Sequence, residues 1–223
     1  MNKVLVVAAH ADDEVIGCGG TIAKHVANGD RVELIVMTDG VGSRTTLNAT
    51  ESDLRKSMLE SASDVLGITQ LHQYNFPDNQ MDNVPLLSVI QSVEDVVSQL
   101  KPNIVYTHCS WDLNVDHQLT HRAVMTACRP QPNLSVEKIL TFEIRSGSDW
   151  QPASQSQFNP NWFIDIGQHW QQKEQALIIY EQEMRDWPHT RSIAAIKAMA
   201  QSRGAQVGLE LAEAFFLERL IEN

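Results

Sequence analysis

The stretch Val4–Gly20, VLVVAAHADDEVIGCGG, constrains this chain more than any other. Val4 to Ala9 is a continuous apolar run rich in β-branched residues, which reads as a strand buried on both faces. His10, Asp12, Asp13 and Glu14 follow at once. Carboxylates and an imidazole gathered at the end of a buried strand are costly unless a positive charge holds them together. A divalent metal ion supplies that charge. In open α/β sheets, ligands bind at the carboxyl ends of parallel strands, which is where this cluster sits. A solvated charge run is the plain alternative, and direct attachment to a buried strand argues against it.

Further along, apolar runs and helical periodicities alternate. Helix is predicted over about Thr21–Asn28 and strand over Arg31–Thr38. A turn-rich loop spans Asp39–Thr50, followed by helix to Leu66, a strand over Gln70–Tyr74 and a helix over about Pro85–Leu100. Strand is predicted at Ile104–Thr107, helix at about His117–Cys128 and strand at Val136–Ile144. The last third is less regular. It reads as a short strand over Asn161–Ile166 and helices over Gln168–Arg185, about Ser192–Gln201 and Val207–Ile221. This alternation is the doubly wound, mostly parallel α/β pattern with helices on both faces. The common order 3-2-1-4-5 makes the first and fourth strands neighbours across the switch point. His10–Glu14 would then face His108–His121. No repeat or low-complexity linker interrupts the chain, so residues 1–223 read as one domain.

A formal net charge of −11 disfavours nucleic acid or an anionic membrane as main partner. An anionic small molecule held by local arginines stays compatible with it. Cys18, Cys109 and Cys128 form neither a disulfide framework nor a CxxC site, which points to a reducing cytoplasm. No apolar stretch approaches membrane-spanning length, and the run after MNK is too short for a signal peptide.

Catalytic zinc takes three His or carboxylate ligands and keeps a position open. His10 and Asp13 are close enough in a turn to share an ion. A third ligand must come from elsewhere, and WDLNVDHQLTH offers Asp112, Asp116, His117 and His121. His117, at the helix entry, is preferred, although a solitary histidine is more often packed than liganding. Asp12 is then the candidate general base, Asp116 a carboxylate that orients a histidine, and Glu14 a supporting group. The glycine run does not make a dinucleotide fingerprint. A GxGxxG beginning at Gly17 needs glycine where Ile22 stands, so these glycines read as turn and close-packing residues.

AHADDE followed by GCGGT resembles the AHPDDE signature of the LmbE/PIG-L-like zinc-dependent de-N-acetylases, and DLNVDHQLTHRAV resembles their second motif. DGVGSR, FPDNQMD, THCSWDLN, FEIRSGSDW and EMRDWPHTRS extend the likeness over nearly the whole chain, toward members found with bacterial surface-glycan biosynthesis. The resemblance implies a Rossmann-like fold and His10, Asp13 and His117 as zinc ligands with Asp12 as base. It implies a substrate that is a small N-acetylated, GlcNAc-type sugar, alone or on a carrier. Arg44, Glu143, Arg185, His189 and Arg191 become substrate-side candidates on the same ground, and arginines there could hold a phosphate.

Two departures stand out. Ala11 replaces the signature's proline, which loses a backbone constraint and no chemical group. Asn114 stands where many members have a histidine credited with stabilising the intermediate. Asparagine donates a hydrogen bond but no proton, which leaves His189 or Asp12 as general acid. Iron(II) would accept the same two-histidine, one-carboxylate set as zinc. A non-catalytic sugar- or nucleotide-binding module and a metal amidase for another amide are the rival readings. Homo-oligomerisation stays open.

Overall fold

The computed structural model describes residues 1–38, 40 and 49–222, with 49–51 as backbone only. Among these residues, seven strands form one sheet: β1 (Lys3–Ala8), β2 (Arg31–Thr38), β3 (Gln70–Phe76), β4 (Ile104–His108), β5 (Lys138–Phe142), β6 (Trp162–Asp165) and β7 (Ala212–Leu220). Their order is β3-β2-β1-β4-β5-β7-β6. The first five run parallel, whereas β7 is antiparallel to both β5 and β6. Among the described residues, six α-helices cover the sheet: α1 (Asp13–Ala27), α2 (Ala49–Leu66), α3 (Leu86–Leu100), α4 (Val115–Ala127), α5 (Trp170–Ile179) and α6 (Ile193–Ala205).

The unbroken apolar character of β1 follows from this double covering. Val4, Val6 and Ala8 join the core beneath α1, α2, α5 and α6, while Leu5 and Val7 join the core beneath α3 and α4. Strands β1 and β4 pair directly, Val4 against Ile104 through Val7 against Thr107. The chain therefore reverses its winding between them, and their carboxyl ends open on a shared crevice.

One expected element has the wrong type. The helix read over Val207–Ile221 is strand β7, with a turn before it. Its leucines, alanines and glutamates favour helix locally. Pairing along both edges, to β5 and β6, satisfies its backbone and overrides that preference. The helix read to Arg185 stops at Ile179, and the first helix begins at Asp13, eight residues before its expected start.

Helix α1 is bent in a way that matters for the site at its start. Cys18 has φ −148° and ψ 21°, outside helical geometry. In a regular helix the Gly20 N–H would donate to the Ile16 carbonyl. Instead Lys173 Nζ donates to Ile16 O at 2.9 Å, and Glu213 accepts from Gly20 N at 2.9 Å and Thr21 N at 2.7 Å. Lys173 and Glu213 also pair with each other at 2.6 Å, so a buried ion pair replaces the missing helical bond. Glycines let the bend pack closely: a Cβ on Gly17 would fall 2.5 Å from Phe142 Cδ2, and one on Gly20 2.8 Å from Ile166. Glu213→Ala leaves Lys173 charged and buried, with two N–H groups orphaned. It is expected to lower unfolding stability by about 3–5 kcal/mol, measured by urea titration. A loss below about 1 kcal/mol would show that water replaces the carboxylate easily.

Candidate metal centre

Two loops at the switch point build the site. After β1 the chain turns through His10–Asp12 into α1. Asp12 sits at φ 109°, in the left-handed region that non-glycine residues rarely adopt. Glu14 holds it there. The Asp12 N–H donates to Glu14 Oε2 at 3.0 Å, and the hydroxyl of buried Tyr180 donates to Glu14 Oε1 at 2.9 Å. Burial is the main reason the Glu14 carboxyl is pushed up to about 8, with the Asp12 charge adding to it.

The second loop precedes α4. Asn114 caps this helix, its side-chain oxygen accepting from Asp116 N at 2.8 Å and His117 N at 3.4 Å. Its own N–H donates to Asp112 Oδ1 at 2.9 Å, and its Nδ2 to Asn79 Oδ1 at 2.8 Å. The cap places His117 in the first turn, facing the β1 loop.

Three side-chain atoms then converge. His10 Nδ1, Asp13 Oδ2 and His117 Nε2 are each 3.2 Å from the other two. Ligands about 2.0 Å from a tetrahedral ion lie about 3.3 Å apart, so this triangle has the size of a tetrahedral face around zinc. The donor set, two neutral imidazoles and a carboxylate, fits a divalent ion. Carboxylates also stand behind each histidine. His10 Nε2 is 3.1 Å from Asp116 Oδ2 and 3.2 Å from Asp78 Oδ1, and His117 Nδ1 is 3.1 Å from Asp112 Oδ1. Asp116 is fixed in turn by the N–H groups of Asn79 and Met81, at 2.7 and 3.0 Å. Such outer carboxylates set the tautomer and ring orientation of liganding histidines.

The electrostatics agree with a cation at the centre. Burial opposes charge on His117, but Asp13 and Asp112 outweigh it and raise the imidazole to about 9. His10 is likewise held well above its ordinary range despite burial, by Asp116, Asp13 and Asp78. Burial works against the Asp13 carboxylate too, yet the His117 charge and the hydrogen bond from His10 hold it well below the usual carboxylate range. Neighbouring His108 is different. Its Nε2 accepts the Ala9 N–H at 2.9 Å, which assigns its proton to Nδ1. Burial lowers its basicity, and it stacks on His117 as a neutral plate with ring centres 4.0 Å apart.

Asp12 stands beside this triangle with its carboxylate against the Arg191 guanidinium. Burial raises Asp12 to about 6, with Arg191 pulling down and Asp13 pushing up. Both line a cavity of about 270 Å³ with the three converging residues and Asn114. Arg55, paired with Glu183 at 2.7 Å, forms another wall.

The other sequence-predicted residues separate. Asp116 lies fully buried behind His10 and outside the cavity. Glu143 turns away from the cavity into a two-pronged pair with Arg203, at 2.8 and 2.9 Å. Arg185 is exposed and donates to the carbonyls of Gln182 and Met184. His189 lies edge-on to Trp150 and accepts the Arg191 N–H, one step outside the cavity lining. Arg44 lies outside the described residues. Sequence reasoning missed Arg55, Glu183, Asp78 and Tyr180. Arg55 sits in an ordinary charged helix pattern and carries no local signal, whereas Asp78 lies inside the FPDNQMD segment without any feature that singles it out there.

Fold and cluster together define an α/β protein with a His/Asp/His site at its switch point and an acid beside it. Residues 5–128 match the PIG-L family, described as GlcNAc-PI de-N-acetylase, and the chain belongs to that family. The diacetylchitobiose deacetylase of Thermococcus kodakarensis is 26% identical over 237 aligned positions, covering 97% of this chain and 85% of the relative. The 4-oxalmesaconate hydratase of Pseudomonas putida is 23% identical over 219 positions, covering 92% and 83%. Among solved structures, the conserved protein TT1542 of Thermus thermophilus superposes with a TM-score of 0.78 at 25% identity, covering 100% of this chain and 97% of that one.

Proposed function

We propose that this protein is a zinc-dependent deacetylase that hydrolyses the N-acetyl group of a GlcNAc-type sugar to acetate and a free amine. The observation that carries the reading is the triangle of His10, Asp13 and His117 atoms, each 3.2 Å from the others, with the Asp12 carboxylate on the same cavity wall. Held by these three side chains, a divalent ion supplies Lewis acidity, polarising a carbonyl and acidifying water.

The rest of the chemistry belongs to the chain. Asp12 accepts the proton of the attacking water and returns it to the departing nitrogen, since His189 does not line the cavity. Arg191 keeps Asp12 ionised and aimed. Asn114 retains one amide hydrogen beyond the one given to Asn79, and that hydrogen is the donor assigned to the developing oxyanion. His108, neutral and stacked, fixes the plane of His117. The hydratase relative also adds water, so acetate release is the discriminating assay. An N-acetylated sugar panel should yield stoichiometric acetate and amine. Water addition to an unsaturated carboxylate, without acetate from any sugar, would replace this reading.

Arg191→Met gives a sharper check. A base must be ionised, so kcat/KM falls as pH drops through the Asp12 pKa, which burial raises to about 6. Arg191 is the strongest charge pulling that pKa down. Its removal should move the acidic limb of the pH profile upward, and Arg191→Lys should bring it part of the way back. A limb that stays in place in Arg191→Met would detach Arg191 from the base.

A further inference from the structure

We propose that the groove beside the metal cavity binds the sugar unit next to the one deacetylated, making the preferred substrate an oligosaccharide. This rests on the deacetylase reading above. The metal cavity, about 270 Å³, is below the range of roughly 300–1,000 Å³ that holds drug-sized ligands. It has room for one reacting ring, and whatever is attached to that ring must leave it.

A single turn divides this cavity from a second one of about 480 Å³. Ile144, Ser146 and Gly147 face the metal cavity, while Glu143, Arg145, Ser148 and Asp149 face the groove. The groove's lining has the mixed character a pyranose requires. Trp187 lines it and is 68% exposed, an unusual cost for so large an aromatic surface. The Glu143–Arg203 fork lines it as well, with Arg203 stacked 5.9 Å from the Phe158 ring centre. Aromatic faces meet the C–H face of a sugar, and fixed carboxylate and guanidinium groups meet its hydroxyls. The dividing turn is also preformed. Thr190 Oγ1 donates to Asp149 Oδ2 at 2.5 Å, and Arg145 bridges Thr190 O at 3.4 Å and Asp149 at 3.3 Å. Little ordering is left to oppose binding. Glu143, a substrate-side expectation from sequence, thus comes next to the site without entering the metal cavity.

The test is calorimetric titration of zinc-loaded Asp12→Asn protein with GlcNAc and with N-acetylated chitotriose, repeated with Trp187→Ala added. The parent should prefer chitotriose, and Trp187→Ala should cut the chitotriose-to-GlcNAc affinity ratio about tenfold. No preference in the parent, or a ratio that Trp187→Ala leaves in place, overturns the proposal. Acetate release from chitotriose by the wild type is followed separately. Trp187-dependent binding without acetate release would keep the groove and remove the deacetylase reading.

Discussion

Asp12→Asn is expected to lower kcat for N-acetyl sugar hydrolysis by a factor of about 10²–10⁴ while the protein keeps its zinc. The substitution preserves shape but removes both the capacity to take a proton and the charge that pairs with Arg191. Asp12 is not one of the three converging atoms, so the ion's own contacts stay in place. Its backbone also survives, because Glu14 grips the N–H and not the side chain. Metal analysis beside steady-state kinetics checks both halves. Full activity in Asp12→Asn would end its role as base. Lost zinc would instead mean that Asp12 belongs to the metal shell.

The second large effect concerns the metal itself. Wild-type protein should bind about one zinc per chain, and His117→Ala or Asp13→Ala should bind none tightly. At zinc 100-fold above Kd, binding to the folded state alone stabilises by about 2.7 kcal/mol. For a chain of this length that raises Tm by about 5–10 °C, an increase both variants should lack. The effect carries a pH signature. Asp13 and Asp112 raise His117 to about 9 against the pull of burial, and a histidine must be neutral to ligate. Zinc affinity should therefore weaken as pH falls below about 9, by about tenfold per unit for each proton displaced. A flat affinity between pH 7 and 9 would mean that these imidazoles are already neutral.

Much of this was readable before any coordinates. Alternating apolar runs and helical periodicities placed β2 at Arg31–Thr38 with its observed limits. They also set β1 against β4 and so brought His10 and His117 to one crevice from positions 107 residues apart. The glycine run was legible as close packing, and the contacts of Gly17 and Gly20 give the partners, Phe142 and Ile166. One element went astray for a tertiary reason. Val207–Ile221 carries a helical composition and became a strand because two partner strands were waiting for it. Glu143 sits one residue from the cavity lining, and side chains alternate along extended chain, so that single step points it the other way.

From sequence alone came the identity and order of most elements, the strand pairing at the switch point and the three residues whose side chains converge there, all consequences of periodicity, short-range spacing and motif. Tertiary structure alone decided which carboxylate stands behind which histidine, that Lys173 and Glu213 replace a helical hydrogen bond, and that Tyr180 and Glu14 hold Asp12 at φ 109°. Some of those contacts join groups as far as 193 residues apart. Each depends on where two faces meet, and a hydrophobic pattern records that a face is buried without recording what lies opposite it.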